Sequence, residues 1–192
     1  MSYMKVNVGN PVQFNIIYFG GVNVRKGAVA LFEFLDKIKL LIEINMIIVG
    51  AIDPQFDSKI KQYQNTPNIK FTGFVNDYRK NSILSEGSVM VNFSIRETFP
   101  GIFIEGLLSG LPILTTWRPI KQKYYGDFVY VVNNGPKEML EIVFSYYEKW
   151  KSNKEEYFAF KRKISSDALN YFNSTEMVDK FQKELEDLVY GK

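Results

Sequence analysis

The chain has 192 residues, of which 46% are hydrophobic and 23% are charged, a composition typical of one globular domain with a sizeable core. Its net charge of +3 gives no support to nucleic-acid binding, although a mild attraction to anionic ligands or lipid surfaces is compatible with it. The absence of Cys and His excludes disulfides, thiol nucleophiles, imidazole bases and the usual zinc or iron sites. No cluster of Asp residues predicts a site for a hard metal ion.

The amino-terminal sequence has no signal-peptide pattern, and no apolar run approaches the roughly 20 residues needed to span a bilayer. We therefore expect a cytoplasmic protein. Residues 1–13 precede the first predicted strand, and we interpret them as a vector-derived remnant or an interdomain linker. Residues 14–192 are then predicted to form one folded domain.

The first predicted strand, Phe14 to Phe19, ends at the glycine pair Gly20-Gly21, and a helix with regularly spaced apolar residues follows from Ala28. Arg25 and Lys26 lie in the loop, near the expected start of this helix. Two loop cations are commonly just solvated, but cations are locally unfavourable at the positive end of a helix dipole. Their position mildly favours an anion-binding site.

Two more strand and helix pairs are predicted next. The strands are 43–49 and 69–71, the helices are 57–64 and 77–86, and Tyr78, Ile83 and Leu84 are expected on the buried face of the second helix. Gly73, Phe74 and Val75 form a predicted turn after the third strand.

A fourth strand, Val89 to Phe93, leads into a polar loop that carries Thr98 as a candidate N-cap and Pro100 at the first helical turn. The helix from Gly101 is expected to end at Gly110, before a fifth strand at 113–115.

Two carboxylates lie eight residues apart on this unit, Glu97 in the loop and Glu105 in the second helical turn. Free N–H groups at Gly101, Ile102 and Phe103 can hold a phosphate, while Glu105 reaches a diol and Glu97 reaches a sugar. A bound sugar nucleotide satisfies all three. For either carboxylate alone, a solvated side chain or a partner of the helix dipole is the simpler interpretation.

A sixth strand is predicted at 127–132, and three helices complete the chain. Their expected core residues are Met139, Leu140, Val143, Phe144 and Tyr147 in the helix 136–150, Tyr157, Phe160, Ile164 and Ala168 in the next, and Met177, Phe181, Leu185 and Leu188 in the last. The basic and aromatic mixture at 149–163 is compatible with a membrane-surface patch, but a core face with solvated charges is the commoner case.

Alternating strands and helices predict an α/β fold, a doubly wound Rossmann-like parallel sheet of about six strands with flanking helices. Ligands of such sheets bind beyond the carboxyl ends of the strands. The loops at 20–26, 73–75 and 94–101 all follow strands, so we expect them to form a single site.

Together these residues resemble the C-terminal, donor-binding domain of the retaining GT-B glycosyltransferases of family 4, also called group 1. The family pattern Gly-Arg-x4-Lys-Gly is similar to Gly20-Gly21 and Lys26-Gly27, and its Gly-Phe-Val turn is similar to residues 73–75. Its Glu-x7-Glu motif, with a preceding Ser and a following Gly-x-Pro, is similar to Ser94, Glu97, Glu105, Gly110 and Pro112. The similarity extends from Phe14 to about Tyr190.

The resemblance implies a nucleotide-diphosphate sugar as substrate, no cofactor and no metal. It implies that Glu105 binds the ribose, Glu97 a hydroxyl of the donor sugar and Lys26 the diphosphate, with Glu97 and Lys26 as the catalytic residues. The backbone of Phe74 and Val75 is implied to hold the base, and the segment of Thr98, Phe99, Gly101 and Ile102 the phosphates and sugar. The product is implied to be a polysaccharide or glycolipid, made with retention.

Three departures from the family pattern affect the phosphate and sugar contacts. Gly21 replaces the usual Arg, and Arg25 is our candidate to substitute for it. Pro100 removes an N–H, which shifts the phosphate contact to Gly101 or Ile102. The residues 117–119, Trp-Arg-Pro, replace the usual Gly-Gly-x-x-Glu segment.

GT-B enzymes hold the acceptor in an N-terminal domain that is missing from this sequence, so we predict a chain that binds the donor without transferring it. The resemblance is also compatible with peripheral association of the full enzyme with the inner face of the membrane. The alternative function is a non-catalytic nucleotide-binding or protein-interaction module. A dehydrogenase is disfavoured because the first loop lacks GxGxxG and no acidic residue ends the second strand as expected.

Overall fold

The computed structural model describes residues 7–97, 101–117 and 129–172. The strands are β1 (Phe14–Phe19), β2 (Ile44–Val49), β3 (Ile69–Gly73), β4 (Val89–Asn92), β5 (Ile113–Thr115) and β6 (Val129–Val131). The α-helices are α1 (Ala28–Ile38), α2 (Asp57–Lys61), α3 (Asp77–Glu86), α4 (Gly101–Leu108), α5 (Gly135–Ser152) and α6 (Lys154–Phe172), and a 3-10 turn (Pro54–Phe56) precedes α2.

The six strands form one parallel sheet in the order β3-β2-β1-β4-β5-β6. From β1 the chain proceeds outward to β3, then returns to place β4 on the other side of β1 and continues outward to β6. The order therefore reverses between β1 and β4, which is the switch point where ligands of doubly wound sheets bind. The predicted fold class is confirmed.

Helices cover both faces of the sheet, because the central strands are apolar on both sides. On β1, the buried side chains of Ile16 and Tyr18 belong to the core under α1 and α5, whereas Ile17 packs on the opposite face against Ile83 of α3. A further core joins α4 and α6 through residues such as Leu107. Because all six strands are parallel, their carboxyl ends lie at one edge of the sheet between these layers.

Two predicted core positions are wrong. Tyr78 is 86% exposed, because it lies in the first turn of α3, next to the loop at the sheet edge. Phe160 is 37% exposed, whereas Phe158 and Lys161 of the same helix are buried. Helix α6 packs against both α4 and α5, so its buried surface is wider than the single stripe that the periodicity predicted.

Some element boundaries also differ from the predictions. The helix expected at 57–64 is preceded by a 3-10 turn at Pro54–Phe56 and ends early, at Lys61. The described part of the sixth strand ends at 131, one residue earlier than predicted, and the helix expected at 136–150 extends over 135–152. The first two residues of the predicted sixth strand, 127 and 128, and the last predicted helix lie outside the described residues. In the described ranges, none of the helices combines the length and apolar character that crossing a membrane requires.

Candidate functional site

The loops that follow β1 and β4, the two strands at the switch point, pack directly against each other. Gly27 ends the first loop with a positive φ of 74°, and a Cβ placed there would lie 1.9 Å from the Phe93 carbonyl oxygen. The Ile95 N–H donates to the Arg25 carbonyl at 3.0 Å. Glycine is therefore required at position 27, since a side chain would force the two loops apart.

This contact brings together the two residues predicted to be catalytic. Lys26 Nζ donates to Glu97 Oε1 in an ion pair, and the two side chains are only 20% and 9% exposed. The same oxygen accepts a hydrogen bond from Ser94 Oγ at 2.8 Å. The interpretation of Glu97 as a solvated loop residue is wrong.

Behind Glu97 lies a group of buried polar side chains to which the sequence analysis assigned no role. Asn92, at the end of β4, contacts Ser94 through both its amide atoms, with Nδ2 3.2 Å from Ser94 Oγ and Oδ1 3.1 Å from Ser94 N. Thr115, at the end of β5, donates to Asn92 Oδ1 at 3.0 Å. A polar residue that ends an otherwise apolar strand is the signal that could have revealed Asn92 and Thr115.

A buried tyrosine supports the first loop from below. The Tyr18 hydroxyl lies 3.2 Å from both the Gly21 and the Lys26 carbonyl oxygens, and its single proton is shared between these two acceptors. Burial and the negative charge of Glu97 raise the pKa of Tyr18 well above its ordinary value. Tyr18 therefore stays a neutral donor and fixes the loop that carries Lys26.

Glu105 lies in α4 and pairs with a lysine that the sequence analysis did not single out. Lys80 Nζ of α3 is 2.8 Å from Glu105 Oε2 and 3.1 Å from Asp77 Oδ1. Although burial by itself lowers it, the contacts with Glu105 and Asp77 raise the pKa of Lys80 above its ordinary value. The Glu105 side chain is 38% exposed, so the pair lies within reach of a ligand.

The turn after β3 lies at the same edge of the sheet. The Gly73 carbonyl accepts from the Gly50 N–H at 2.9 Å, which ties the turn to the end of β2. Val75 packs against the small core cluster of Ile83, while the Phe74 side chain is 89% exposed. The turn thus leaves an aromatic ring on the rim beside α3.

The other residues predicted to contact the donor differ in their burial and location. Gly21 is half-buried, and a Cβ there would lie 2.9 Å from Asn23 Nδ2, so a larger residue requires Asn23 to move. Arg25 is exposed and lies beside Lys26. Gly101 and Ile102 form the first turn of α4. Thr98 and Phe99 lie outside the described residues.

The arrangement suits an anionic ligand that also carries hydroxyl groups. Two pairs, Lys26 with Glu97 and Lys80 with Glu105, lie on loops and helices at the carboxyl edge of the sheet. The lysines can neutralise phosphate charge, and the carboxylates can accept hydrogen bonds from hydroxyls. Across 7–97, 101–117 and 129–172, no three acidic side chains lie close enough to hold a metal ion.

Comparison with protein families finds one match that covers more than half of the chain. The model described as "Glycosyl transferases group 1" matches residues 13–146. None of the curated proteins searched matches the sequence significantly.

Solved structures share the fold at low sequence identity. Anabaena HepE in complex with UDP and glucose is 15% identical with a TM-score of 0.65, and the match covers 91% of this chain and 48% of that one. The C-terminal domain of the group 1 family protein LpcC from Francisella tularensis is 17% identical with a TM-score of 0.64, covering 83% and 86%. The catalytic domain of the cholesterol-α-glucosyltransferase from Helicobacter pylori is 20% identical with a TM-score of 0.62, covering 83% and 99%. The chain thus spans about half of the length of HepE, but nearly all of the Helicobacter domain.

Proposed function

The chain belongs to the group 1 glycosyl transferases, and on this basis we propose that it binds the nucleotide-diphosphate sugar donor of a retaining transferase. The observation that carries the proposal is the largely buried pair of Lys26 and Glu97 at the switch point of the sheet. Similarity to HepE, which was solved with UDP and glucose, supports a nucleotide-sugar ligand.

The pair provides two groups that transfer of a sugar requires. Negative charge develops on the diphosphate as it leaves, and the Lys26 ammonium together with the N–H groups at the start of α4 stabilises this charge. The Glu97 carboxylate accepts a hydrogen bond from a hydroxyl of the donor sugar while the anomeric carbon becomes oxocarbenium-like. These groups act without a metal ion.

The other predicted contacts complete the donor site. Glu105 accepts from the ribose hydroxyls, and Lys80 beside it contributes positive charge near the nucleotide. The backbone of Phe74 and Val75 holds the base. Arg25, which is exposed next to Lys26, provides the positive charge that the family's arginine supplies at the position of Gly21.

The acceptor is a polysaccharide or glycolipid held by a further domain outside these 192 residues. The match of the chain to about half of HepE supports a second half in the full enzyme. We also propose that the full enzyme contacts the cytoplasmic face of a membrane peripherally.

Thermal unfolding in the presence of a panel of UDP-, ADP- and GDP-sugars and the free diphosphates tests this function. A ligand at 100 times its dissociation constant adds about 2.7 kcal/mol to the free energy of unfolding. For a domain of this size, that increase raises the melting temperature by roughly 5–10 °C. We expect at least one nucleotide of the panel to do so.

The matched variants are Glu105→Gln, which should abolish the shift, and Glu148→Gln, which should retain it. Glu148 is exposed on α5, near the loop before β2 at the amino edge of the sheet. If no nucleotide raises the melting temperature, the donor site is refuted and the non-catalytic interaction module is favoured instead. This alternative is considered because Gly21 stands where the family usually has an arginine that binds phosphate.

A further inference from the structure

A continuous chain of hydrogen bonds leads from the segment after β5 to the carboxylate of Glu97. The Trp117 N–H donates to Thr115 Oγ at 3.1 Å, and Thr115 Oγ donates to Asn92 Oδ1 at 3.0 Å. Asn92 Nδ2 donates to Ser94 Oγ at 3.2 Å, and Ser94 Oγ donates to Glu97 Oε1 at 2.8 Å. The chain crosses two neighbouring strands and ends in the proposed donor site.

The direction of every bond in this chain is determined by its partners. The Ser94 N–H can only donate, so the Asn92 atom 3.1 Å from it must be the carbonyl oxygen Oδ1. That orientation turns Nδ2 toward Ser94 Oγ, which must accept there. A hydroxyl has a single proton, so Ser94 gives its proton to the Glu97 carboxylate. At the other end, Thr115 accepts from Trp117 and gives its proton to Asn92.

Burial makes the chain sensitive to the loss of any member. Asn92, Ser94 and Thr115 are at most 3% exposed, so water does not replace a missing partner without a change in packing. A buried acceptor or donor that loses its partner retains the full desolvation penalty, about 1–3 kcal/mol. The position of the Glu97 carboxylate therefore depends on a hydroxyl on β5.

These side chains are not needed to hold β4 and β5 together. The strands pair through their backbones from Met90 with Ile113 to Asn92 with Thr115, and the Thr116 N–H donates to the Asn92 carbonyl at 3.1 Å. An apolar residue at the end of either strand would preserve this pairing. The side-chain bonds add the orientation of Ser94 and Glu97, which the backbone does not provide.

We propose that Asn92, Ser94 and Thr115 are positioning residues that hold the Glu97 carboxylate for the sugar of the donor. This inference rests on the proposed function, in which Glu97 contacts the sugar. Among the described residues, Lys26 and Ser94 both bind Oε1, which leaves Oε2 to accept from a sugar hydroxyl. The three residues therefore affect the affinity for the sugar more than the affinity for the nucleotide, which Glu97 influences only through Lys26.

The test compares two variants of the 192-residue chain at position 115. Thr115→Val keeps the shape of the side chain but removes the hydroxyl, whereas Thr115→Ser keeps the hydroxyl. Calorimetric titration uses the nucleotide sugar that stabilises the wild type most and its free diphosphate. For Thr115→Val we expect the dissociation constant of the nucleotide sugar, divided by that of the free diphosphate, to rise about tenfold, with a smaller change in the affinity for the diphosphate itself. Thr115→Ser should behave as wild type.

A second variant and a ligand-free measurement complete the test. Ser94→Ala should change the same ratio in the same direction, because it removes the proton given to Glu97. Without ligand, acetylation of Lys26 by acetic anhydride, followed by mass spectrometry, should be faster in Thr115→Val than in Thr115→Ser, because Lys26 loses a fixed partner.

The possible outcomes separate the two proposals. If the wild type binds no nucleotide, the proposed function fails, and the acetylation rates still decide whether the chain of hydrogen bonds positions Glu97. If the wild type binds a nucleotide sugar but Thr115→Val keeps the wild-type ratio of dissociation constants, as Thr115→Ser does, the inference is overturned. Equal acetylation of Lys26 in both variants overturns it as well.

Discussion

At the residue scale, the site depends on how closely two loops approach at Gly27. This glycine combines a left-handed φ of 74° with a position directly against the Phe93 carbonyl. Either feature alone disfavours a side chain, and together they leave no rotation or small shift that accommodates one. The consequence is that Lys26, the preceding residue, is held where it meets Glu97.

We predict that Gly27→Ala lowers the free energy of unfolding by about 3 kcal/mol or more, the combined effect of backbone strain and a displaced loop. Gly135→Ala is the matched control, because Gly135 has a φ of 66° but nothing within 4 Å of an added Cβ. The control should lose only about 1–2 kcal/mol. Urea denaturation of both variants measures the difference. Equal losses would show that the close approach of the loops is not maintained.

At the element scale, α6 places a lysine in the core between the amino-terminal segment and the turn before β4. Lys161 is fully buried, and its Nζ donates to the Gly9 carbonyl at 3.0 Å and the Gly87 carbonyl at 2.5 Å. Neither partner is charged, and the nearby Tyr157 hydroxyl donates to the Ser88 carbonyl. Burial without a counter-charge lowers the pKa of Lys161 from 10.5 to about 8.

This shift predicts that the contribution of Lys161 to the free energy of unfolding increases as the pH rises from about 8 toward 10.5, whereas buried tyrosines with a raised pKa, such as Tyr18, act in the opposite direction near pH 10. In that window the unfolded chain binds the Lys161 proton and the folded chain does not, so raising the pH removes a disadvantage of the folded state. The full effect is at most about 3 kcal/mol. Urea unfolding at several pH values should show that the free energy of unfolding of the wild type increases with pH relative to that of Lys161→Met, which lacks the titrating lysine but keeps the tyrosines. If the free energy of unfolding depends on pH in the same way in both proteins, the pKa of Lys161 is not lowered in the folded chain.

At the scale of the whole molecule, the sheet topology gathers loops from distant parts of the chain at one edge. The strand order reverses between β1 and β4, and the loops after these strands carry Lys26 and Glu97. Helices α3 and α4 bring Lys80 and Glu105 to the same edge. In the proposed function this edge binds the donor substrate, but sugar transfer also needs an acceptor hydroxyl held close to the anomeric carbon.

We therefore predict that the 192-residue chain binds its nucleotide sugar but does not transfer the sugar to polysaccharide or lipid acceptors. Holding two reactants in place contributes an effective concentration on the order of 10⁵ M or more, which a donor site alone does not supply. The measurement is the release of nucleoside diphosphate with and without acceptor. Lys26→Met is the control for contaminating enzymes. Acceptor-dependent turnover that disappears in this variant would contradict the prediction.

Much of the fold was predictable because the information lies within short segments. Buried strands appear as runs such as that of β1, and the glycines at their ends mark the loops. The alternation of strands and helices is enough to predict a doubly wound parallel sheet, since right-handed crossovers leave few other topologies. In the same way, strands followed by polar loops predicted that Lys26 and Glu97 share an edge.

The sequence by itself therefore determined the class of fold, the order of its elements and the edge at which the candidate site residues meet. Only the tertiary structure decided which side chains touch, because partners such as Lys26 and Glu97 are separated by 71 residues. Periodicity describes one face of one element, so it missed the second packed face of α6 and the buried Lys161. The hydrogen bonds from Thr115 through Asn92 to Ser94 likewise exist only where β4 and β5 pair, and no local pattern contains that information.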